Sequence, residues 1–260
     1  MPQHHLQPPL PNPMHEHDSP LRCESILTMA ANEQRILWIG NSLTFEHRLP
    51  RLVQQLAAAI PGTPSMGSYM ITRGGADLGW HRQQGIAQTA IACGVWHYVV
   101  IQDQSTRPAY DPQQSATDAA YFAQLAHSYG ACPLLYCTWA TRDNPALLDR
   151  LEATYAQAAS QADCGYAPVG RAFALSLQRR PTLALHREDH LHPTMAGSYL
   201  AACVWLGMLH SLPRQLPCQI RDIECMLADL RQDDADHLLE CARSVLQHGA
   251  STQGDCTSTL

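Results

Sequence analysis

Clusters of basic residues are missing from this sequence, and charged residues of either sign make up only 15% of it. The formal net charge of its 260 residues is -6. Proteins that bind nucleic acid neutralise phosphates with clustered Lys and Arg, so this composition argues against a nucleic-acid partner. Hydrophobic residues reach 45%, which is enough to bury a sizeable core. The composition therefore predicts a globular protein that does not bind nucleic acid.

Long apolar runs are also absent. No segment approaches the roughly 18–20 apolar residues that a membrane span needs, and residues 1–31 lack the apolar core of a secretory signal. Proline and histidine dominate that segment. We therefore expect a disordered leader over residues 1–31, one domain over 32–248 and a flexible tail over 249–260. A cytoplasmic location without a membrane partner follows from the same observations.

The cysteines lack the paired spacing of a zinc site. The chain has ten cysteines, but it contains no CxxC pair. Several of them, including Cys93, Cys137 and Cys203, lie within apolar stretches. Free buried thiols in a reducing compartment explain this pattern better than disulfides do. We expect no structural metal.

Segments typical of strands and of helices alternate along the chain. Short apolar runs predict strands over residues 35–40, 68–72, 97–102 and 133–139, and a weaker strand or strand–helix junction near 166–173. Apolar residues at helical spacing predict helices over residues 49–60, 78–93, 112–129, 145–162, 193–209 and 220–246. This alternation indicates a parallel sheet with helices on both faces. Ligands bind such sheets at the carboxyl ends of the strands.

Two turns with unusual residues follow the first two predicted strands. Ser42 comes directly after Gly40 and Asn41, beside helical N–H groups that could stabilise an oxyanion. A capping or turn serine is the alternative. Gly74 and Gly75 follow the second strand. Paired glycines let the backbone approach a ligand closely and offer an unshielded N–H, although an ordinary turn would have the same composition.

Polar residues also follow the third strand and precede the helix at 193–209. Gln102 and Gln104 stand where the third strand meets water, and a side-chain amide is a good oxyanion donor. Asp189 and His192 are three residues apart, so one turn could supply a base and the carboxylate that orients it. His186 and His190 crowd the same stretch, which leaves a metal cluster open as an alternative.

Taken together, these four blocks resemble those of the SGNH (GDSL-like) hydrolases. The blocks occur in the family's order as "IGNS", "GG", "QDQS" and "DHLHP", over residues 35–209. The resemblance implies a three-layer, flavodoxin-like α/β fold with a central parallel sheet of about five strands. It also implies ester hydrolysis without a cofactor, with Ser42 as nucleophile, His192 as base and Asp189 orienting it. The backbone N–H groups of Ser42 and Gly75 would donate to the oxyanion.

The third block departs from the family pattern because it lacks the usual asparagine. A glutamine would have to donate to the oxyanion instead. Counting from the strand end favours Gln104, whereas alignment with carbohydrate acetylesterase relatives favours Gln102. Asn41 replaces the aspartate of many members, which removes a charge beside the nucleophile but leaves the triad carboxylate elsewhere.

The resemblance leaves the substrate open. A small acyl ester, possibly an acetylated sugar, is the expected substrate. Four residues on predicted loops near the carboxyl edge fit that expectation, because aromatic rings stack on sugars: Trp80, His81, Trp139 and Arg142. Core packing is the alternative for the two tryptophans. Two other functions stay open, namely acyl transfer to an alcohol with the same triad and carbohydrate binding without catalysis. The oligomeric state is not predicted.

Overall fold

The computed structural model describes residues 33–210, 212–213, 216 and 230–248. The predicted leader over residues 1–31, the tail over 249–260 and the first part of the predicted last helix lie outside the described residues.

Five parallel strands form one sheet in the order β2-β1-β3-β4-β5. The strands are Glu33–Gly40 (β1), Ser65–Thr72 (β2), Tyr98–Ile101 (β3), Cys132–Cys137 (β4) and Gly165–Pro168 (β5). The register aligns their carboxyl ends, since Gly40 pairs with Thr72 and Ile39 pairs with Ile101. The loops that follow β1, β2 and β3 are therefore neighbours at one edge of the sheet.

Helices cover both faces of this sheet. They are Ser42–Phe45 (α1), Leu49–Ala58 (α2), Leu78–Gln84 (α3), Ile86–Cys93 (α4), Arg107–Tyr110 (α5), Pro112–Ser128 (α6), Leu147–Ala162 (α7), Val169–Arg179 (α8), Met195–Leu209 (α9) and Gln232–His248 (α10), with a 3-10 turn at Glu46–Arg48. Helices α2, α8, α9 and α10 share one apolar core, while α3, α4, α6 and α7 share the other. The three-layer α/β fold is thereby confirmed.

Strand β1 is apolar on both sides because it contributes to both cores. Ile36 and Trp38 pack into the core with α9, whereas Leu37 and Ile39 pack into the opposite core. Burying an aliphatic side chain of this size stabilises the fold by ~1.5–3 kcal/mol. A continuous apolar run, instead of alternation, is therefore the pattern that a central parallel strand requires.

Helix α9 is buried nearly all round, as its sequence predicts. Trp205 lies edge-on to Trp38 and to Tyr136, with ring centroids 5.0 and 5.3 Å apart. A helix without a polar face has no side to turn to water, so it packs between the sheet and its neighbours. Within the described residues, no helix is both long and apolar enough to cross a membrane.

Some predicted boundaries were wrong for identifiable reasons. The single helix predicted over residues 78–93 is two helices, because Gly85 has φ +73° and ends α3 in the left-handed region. The segment near residues 166–173, for which a weaker strand or a strand–helix junction is predicted, is the junction of β5 with α8. Among the described cysteines, Cys137 and Cys203 are buried free thiols, but Cys93 ends α4 and is exposed.

Candidate active site

The side chains of Ser42, His192 and Asp189 form a continuous chain of hydrogen bonds. Oγ of Ser42 lies 2.8 Å from Nε2 of His192, and Nδ1 of His192 lies 2.7 Å from Oδ2 of Asp189. Ser42 begins α1 directly after β1, whereas Asp189 and His192 lie on the loop before α9. Sequence spacing could relate Asp189 and His192 to each other, but only the fold brings Ser42 next to them.

Backbone hydrogen bonds hold Asp189 as a carboxylate. Its Oδ1 accepts from the N–H of Leu191 at 3.0 Å and from that of His192 at 2.9 Å. The bond from Leu191 contributes most to lowering the pKa of Asp189 to about 2, and the bonds from the N–H and ring of His192 add to it. Because the Asp189 side chain is 45% exposed, water screens its charge. Hydrogen-bond geometry, more than charge, therefore orients the imidazole.

Gly40 leaves room for the hydrogen bonds that shape the Ser42 turn. A Cβ at position 40 would lie 2.6 Å from Oγ1 of Thr44 and closer still to Oε1 of Gln102. That amide oxygen accepts from the N–H of Asn41 and from the Thr44 hydroxyl, both at 2.8 Å. The strand ends in glycine because these bonds occupy the space that a side chain would need.

Asn41 ties the turn that carries Ser42 to the glycine loop. Its Oδ1 accepts from the N–H of Leu43 at 3.1 Å, and its Nδ2 donates to the carbonyl of Ala76 at 3.0 Å. An aspartate at this position could make only the first bond, since a carboxylate has no donor. The asparagine therefore replaces the usual acid with a link to the loop that carries Gly75.

The loop after β2 offers the N–H of Gly75. Gly75 has φ +72°, in the left-handed region that favours glycine. The N–H of Arg73 donates to the carbonyl of Gly40 at 3.2 Å, which keeps this loop beside the end of β1. No acceptor among the described residues is bonded to the N–H of Gly75 or of Ser42. Both groups are free to donate to a ligand oxygen.

The two glutamines after β3 occupy different environments. Gln102 is fully buried, and both ends of its amide are bonded inside the protein. Its oxygen holds the Ser42 turn, and its nitrogen donates to the carbonyl of Asp103. Gln102 is therefore a structural element of the turn in this arrangement.

Gln104 is only partly buried, and its amide is oriented by the start of α5. Its Oε1 accepts from the N–H groups of Thr106 and Arg107, both at 2.9 Å. These donors identify which end of the amide is oxygen. The nitrogen donates to Oγ of Ser105 at 3.1 Å, and its second N–H has no bonded acceptor among the described residues. Each amide nitrogen has one bonded acceptor and a second N–H, but Gln102 is fully buried whereas Gln104 is partly exposed, so the second N–H of Gln104 is the one open to a ligand.

A buried ion cluster behind these loops has no counterpart in the sequence motifs. Arg107 contacts Asp103 at 3.2 Å, Asp118 at 2.7 Å and Asp77 at 3.8 Å. Burial raises the pKa of Asp103, while a hydrogen bond from Ser115 and the charge of Arg107 oppose that increase. No local sequence pattern marks the cluster, because its members come from three separate segments of the chain.

Two contacts join the Ser42 side of the site to the loop that carries Asp189 and to the helix that follows this loop. Glu46 pairs with Arg187 at 3.3 Å, and Nδ1 of His47 lies 2.8 Å from Oγ of Ser198. His47 has φ +48°, and the next residue has φ +51°. Two consecutive left-handed residues other than glycine are unusual and costly. The contacts across the two segments help to hold this turn in place.

The aromatic residues expected near the site differ in location. Trp139 is not a surface ring, since it is 1% exposed and stacks on Phe173 at 4.1 Å. His81 is also buried, with Nε2 3.0 Å from the carbonyl of Gly40. Trp80 lines an open pocket and contacts the guanidinium of Arg73 at 4.8 Å. Only Trp80, of these three rings, remains available to a ligand.

The histidines around the site do not form a metal cluster. His186 is buried, and its Nε2 lies 3.1 Å from the carbonyl of Ala140. His190 is exposed and adopts φ +63°. Across the described ranges, no group of three or more His, Cys, Asp and Glu side chains is arranged to hold a metal ion.

Comparison with solved structures identifies relatives of the whole fold. A protein from Slackia heliotrinireducens, described as an SGNH hydrolase, is 30% identical to this chain. Its TM-score is 0.59 over 68% of this chain and 98% of that chain. A DUF4886 family protein from Bacteroides uniformis is 18% identical, with a TM-score of 0.66 over 85% of this chain and 98% of that chain. An acetylxylan esterase from Geobacillus stearothermophilus is 14% identical, with a TM-score of 0.55 over 68% and 94% of the two chains.

Searches of family models and of curated proteins gave no match. The two less similar structures support the fold, while the protein from Slackia heliotrinireducens, at 30% identity over 68% of this chain, also indicates a common family. On this likeness, and on the fold that it shares, the chain belongs to the SGNH hydrolases.

Proposed function

We propose that this SGNH hydrolase is a serine esterase that removes small acyl groups, acetyl above all, by a Ser42-His192-Asp189 mechanism. The observation that carries the proposal is the pair of hydrogen bonds of 2.8 and 2.7 Å that join the three side chains. Family membership supports hydrolysis of an ester bond, and the free donors of the neighbouring loops support stabilisation of an oxyanion.

In the first step, Oγ of Ser42 attacks the ester carbonyl carbon while Nε2 of His192 takes the hydroxyl proton. The carbonyl π electrons move to oxygen, which becomes the oxyanion of a tetrahedral intermediate. That oxygen accepts from the N–H groups of Ser42 and Gly75 and from Nε2 of Gln104. Asp189 accepts a hydrogen bond from the Nδ1–H of the imidazole and so keeps Nε2 as the nitrogen that can accept the Ser42 proton.

In the second step, the intermediate collapses and the bond to the leaving alkoxide breaks. His192 gives its Nε2 proton to that oxygen, and the alcohol departs from the acyl-enzyme. Water then attacks the acyl-Ser42 ester, and His192 takes a proton from the water. Collapse of the second intermediate returns that proton to Oγ and releases the carboxylic acid.

An acetylated carbohydrate is the substrate class that we favour. The similarity to an acetylxylan esterase motivates this choice. Trp80 adds support, because its indole is partly exposed and indole faces stack on sugar rings. Product analysis with and without an alcohol acceptor separates hydrolysis from acyl transfer.

The test is the activity of Ser42→Ala on p-nitrophenyl acetate, with Ser68→Ala as the matched control. Ser68 lies on β2, and its hydroxyl donates only to the carbonyl of Pro50 at 3.3 Å. We expect Ser42→Ala to lose activity and Ser68→Ala to keep it. Activity of Ser42→Ala equal to that of the unmodified enzyme would reject the serine mechanism.

A further inference from the structure

Arg107 connects the two loops that offer oxyanion donors, although it lies outside the triad. Its guanidinium contacts Asp77, which comes two residues after Gly75, and Asp103, which comes one residue before Gln104. Its Nη2 also donates to Asp118 on α6 at 2.7 Å. One side chain therefore joins the glycine loop, the glutamine loop and a helix of the scaffold.

Asp103 carries this connection to the backbone of both loops. Its Oδ1 accepts from the N–H of Leu78 at 2.9 Å and from the N–H of Gln104 at 2.8 Å. Its Oδ2 accepts from the hydroxyl of Ser115 at 2.6 Å. Asp103 is fully buried, and a buried carboxylate keeps its charge only where donors and a cation surround it.

Arg107 also acts through its own backbone. Its N–H donates to Oε1 of Gln104 at 2.9 Å, which helps to fix the end of the amide that carries the free N–H. The amide of Gln104 is thus constrained from two directions, by Asp103 through its backbone and by the start of α5 through its side chain. A misplacement of about 1 Å in such a group can cost about a hundredfold in rate.

We propose that Arg107, acting through Asp103, is a positioning residue that sets the geometry of the oxyanion donors Gly75 and Gln104. The inference rests on the proposed function, since it concerns the same reaction. Among the described residues, the hydrogen bonds and ion pairs of the Arg107 side chain reach Asp77, Asp103 and Asp118, and none reaches Ser42 or His192. Its loss should therefore slow acylation without weakening substrate binding.

The cluster offers a matched control in Arg82. Both arginines pair with Asp118, at 2.6 Å for Arg82 and 2.7 Å for Arg107. Arg82 has no ion pair with Asp103, so its removal perturbs the same buried carboxylate without reaching the glutamine loop. Both arginines line one open pocket of about 670 Å³, which gives small solutes access to the space that a truncated side chain leaves.

The experiment compares Arg107→Ala, Arg107→Lys and Arg82→Ala in kcat and KM for p-nitrophenyl acetate and in the rate of labelling by a fluorophosphonate. We expect kcat and the labelling rate of Arg107→Ala to fall about tenfold or more with KM nearly unchanged. Arg107→Lys should lose less of both rates, because the ammonium group keeps the charge. It should still lose some, because a lysine cannot bridge two carboxylates. Arg82→Ala should keep both rates within about twofold.

Guanidinium rescue separates positioning from general destabilisation. Millimolar guanidinium chloride should raise kcat of Arg107→Ala while circular dichroism shows an unchanged folded fraction, and it should not raise kcat of Arg82→Ala. If Arg107→Ala does not fold, Arg107→Lys carries the same comparison. Equal losses of kcat in the Arg107 and Arg82 variants, or an unaltered kcat in folded Arg107 variants, would overturn this inference. Either result would leave the proposed function standing. Full activity of Ser42→Ala would reject the proposed function and this inference with it.

Discussion

Substitutions of Gln104 and Gln102 should have opposite consequences, because the two amides are bonded differently. In Gln104→Glu, one carboxylate oxygen can still accept from Thr106 and Arg107, but the free N–H is lost. Removing one oxyanion donor costs ~2.7–4 kcal/mol of transition-state stabilisation, or about 10²–10³ in kcat. We expect a fall of that size with little change in thermal stability.

Gln102→Met should instead weaken the fold. The substitution leaves the N–H of Asn41 and the hydroxyl of Thr44 without their acceptor in a buried position. Each unsatisfied buried donor costs ~1–3 kcal/mol, and for a domain of this size each 1 kcal/mol lowers Tm by about 2–4 °C. Activity should fall less than in Gln104→Glu when both are assayed well below Tm.

The assay is kcat on p-nitrophenyl acetate together with a thermal melt for each variant. The reasoning would be refuted if Gln104→Glu kept its kcat, while Gln102→Met lost activity at unchanged Tm. That result would transfer the donor role to Gln102 and require its side chain to leave the turn in the working enzyme.

Three further predictions follow from single contacts. Asn41→Asp should lower both Tm and kcat, because it loses the bond to the carbonyl of Ala76 at a cost of ~1–3 kcal/mol and brings a negative charge near the oxyanion; a melt and an assay of the purified variant test this. Gly40→Ala should lower Tm by several degrees, since a Cβ would meet the amide oxygen that shapes the turn; an unchanged Tm would contradict that steric account. Acid inactivation should follow a single proton, because Asp189 has a pKa of about 2 and stays ionised where imidazole titrates; two protons in the acid limb of kcat/KM would count against it.

The same carboxylate makes a signed contribution to stability. A carboxyl group whose pKa is lower in the folded protein stabilises the fold at a pH above its unfolded value of 3.8, and this contribution is lost as the pH falls towards 2. Asp189→Asn should therefore be closest to the unmodified protein in Tm at the acid end of that window. Exposure of the side chain keeps the difference small at neutral pH.

The layers of the fold could be predicted from sequence because they depend on local patterns. The continuous apolar run of β1 reflects burial on both faces, and the all-apolar α9 reflects a helix packed between neighbours. The break at Gly85 could not be predicted, since a glycine inside a helical pattern costs only about 1 kcal/mol and often lies within one helix. Whether it breaks the helix depends on packing.

The residues of the site also fall into two groups, those that a local sequence pattern marks and those whose role depends on packing. Ser42 and the Asp189–His192 pair lie in recognisable sequence motifs, so sequence analysis could name them as candidates. The structure places their side chains within hydrogen-bond distance of one another. The choice between Gln102 and Gln104 depends on rotamers and bonded partners, which spacing does not encode. Of the two alternatives left open for Trp139, the structure supports core packing, because its ring is buried and stacks on Phe173. Arg107 joins segments distant in the chain, so no local pattern marks it.

Covalent labelling of Ser42 tests the central claim most directly. The enzyme would be treated with a fluorophosphonate and examined by intact mass and peptide mapping, beside Ser42→Ala and His192→Ala. The mechanism predicts one adduct per chain on Ser42, loss of esterase activity in step with labelling, no adduct in Ser42→Ala and much slower labelling in His192→Ala. An active enzyme that carries no adduct, or one labelled at another residue as its activity disappears, would contradict it.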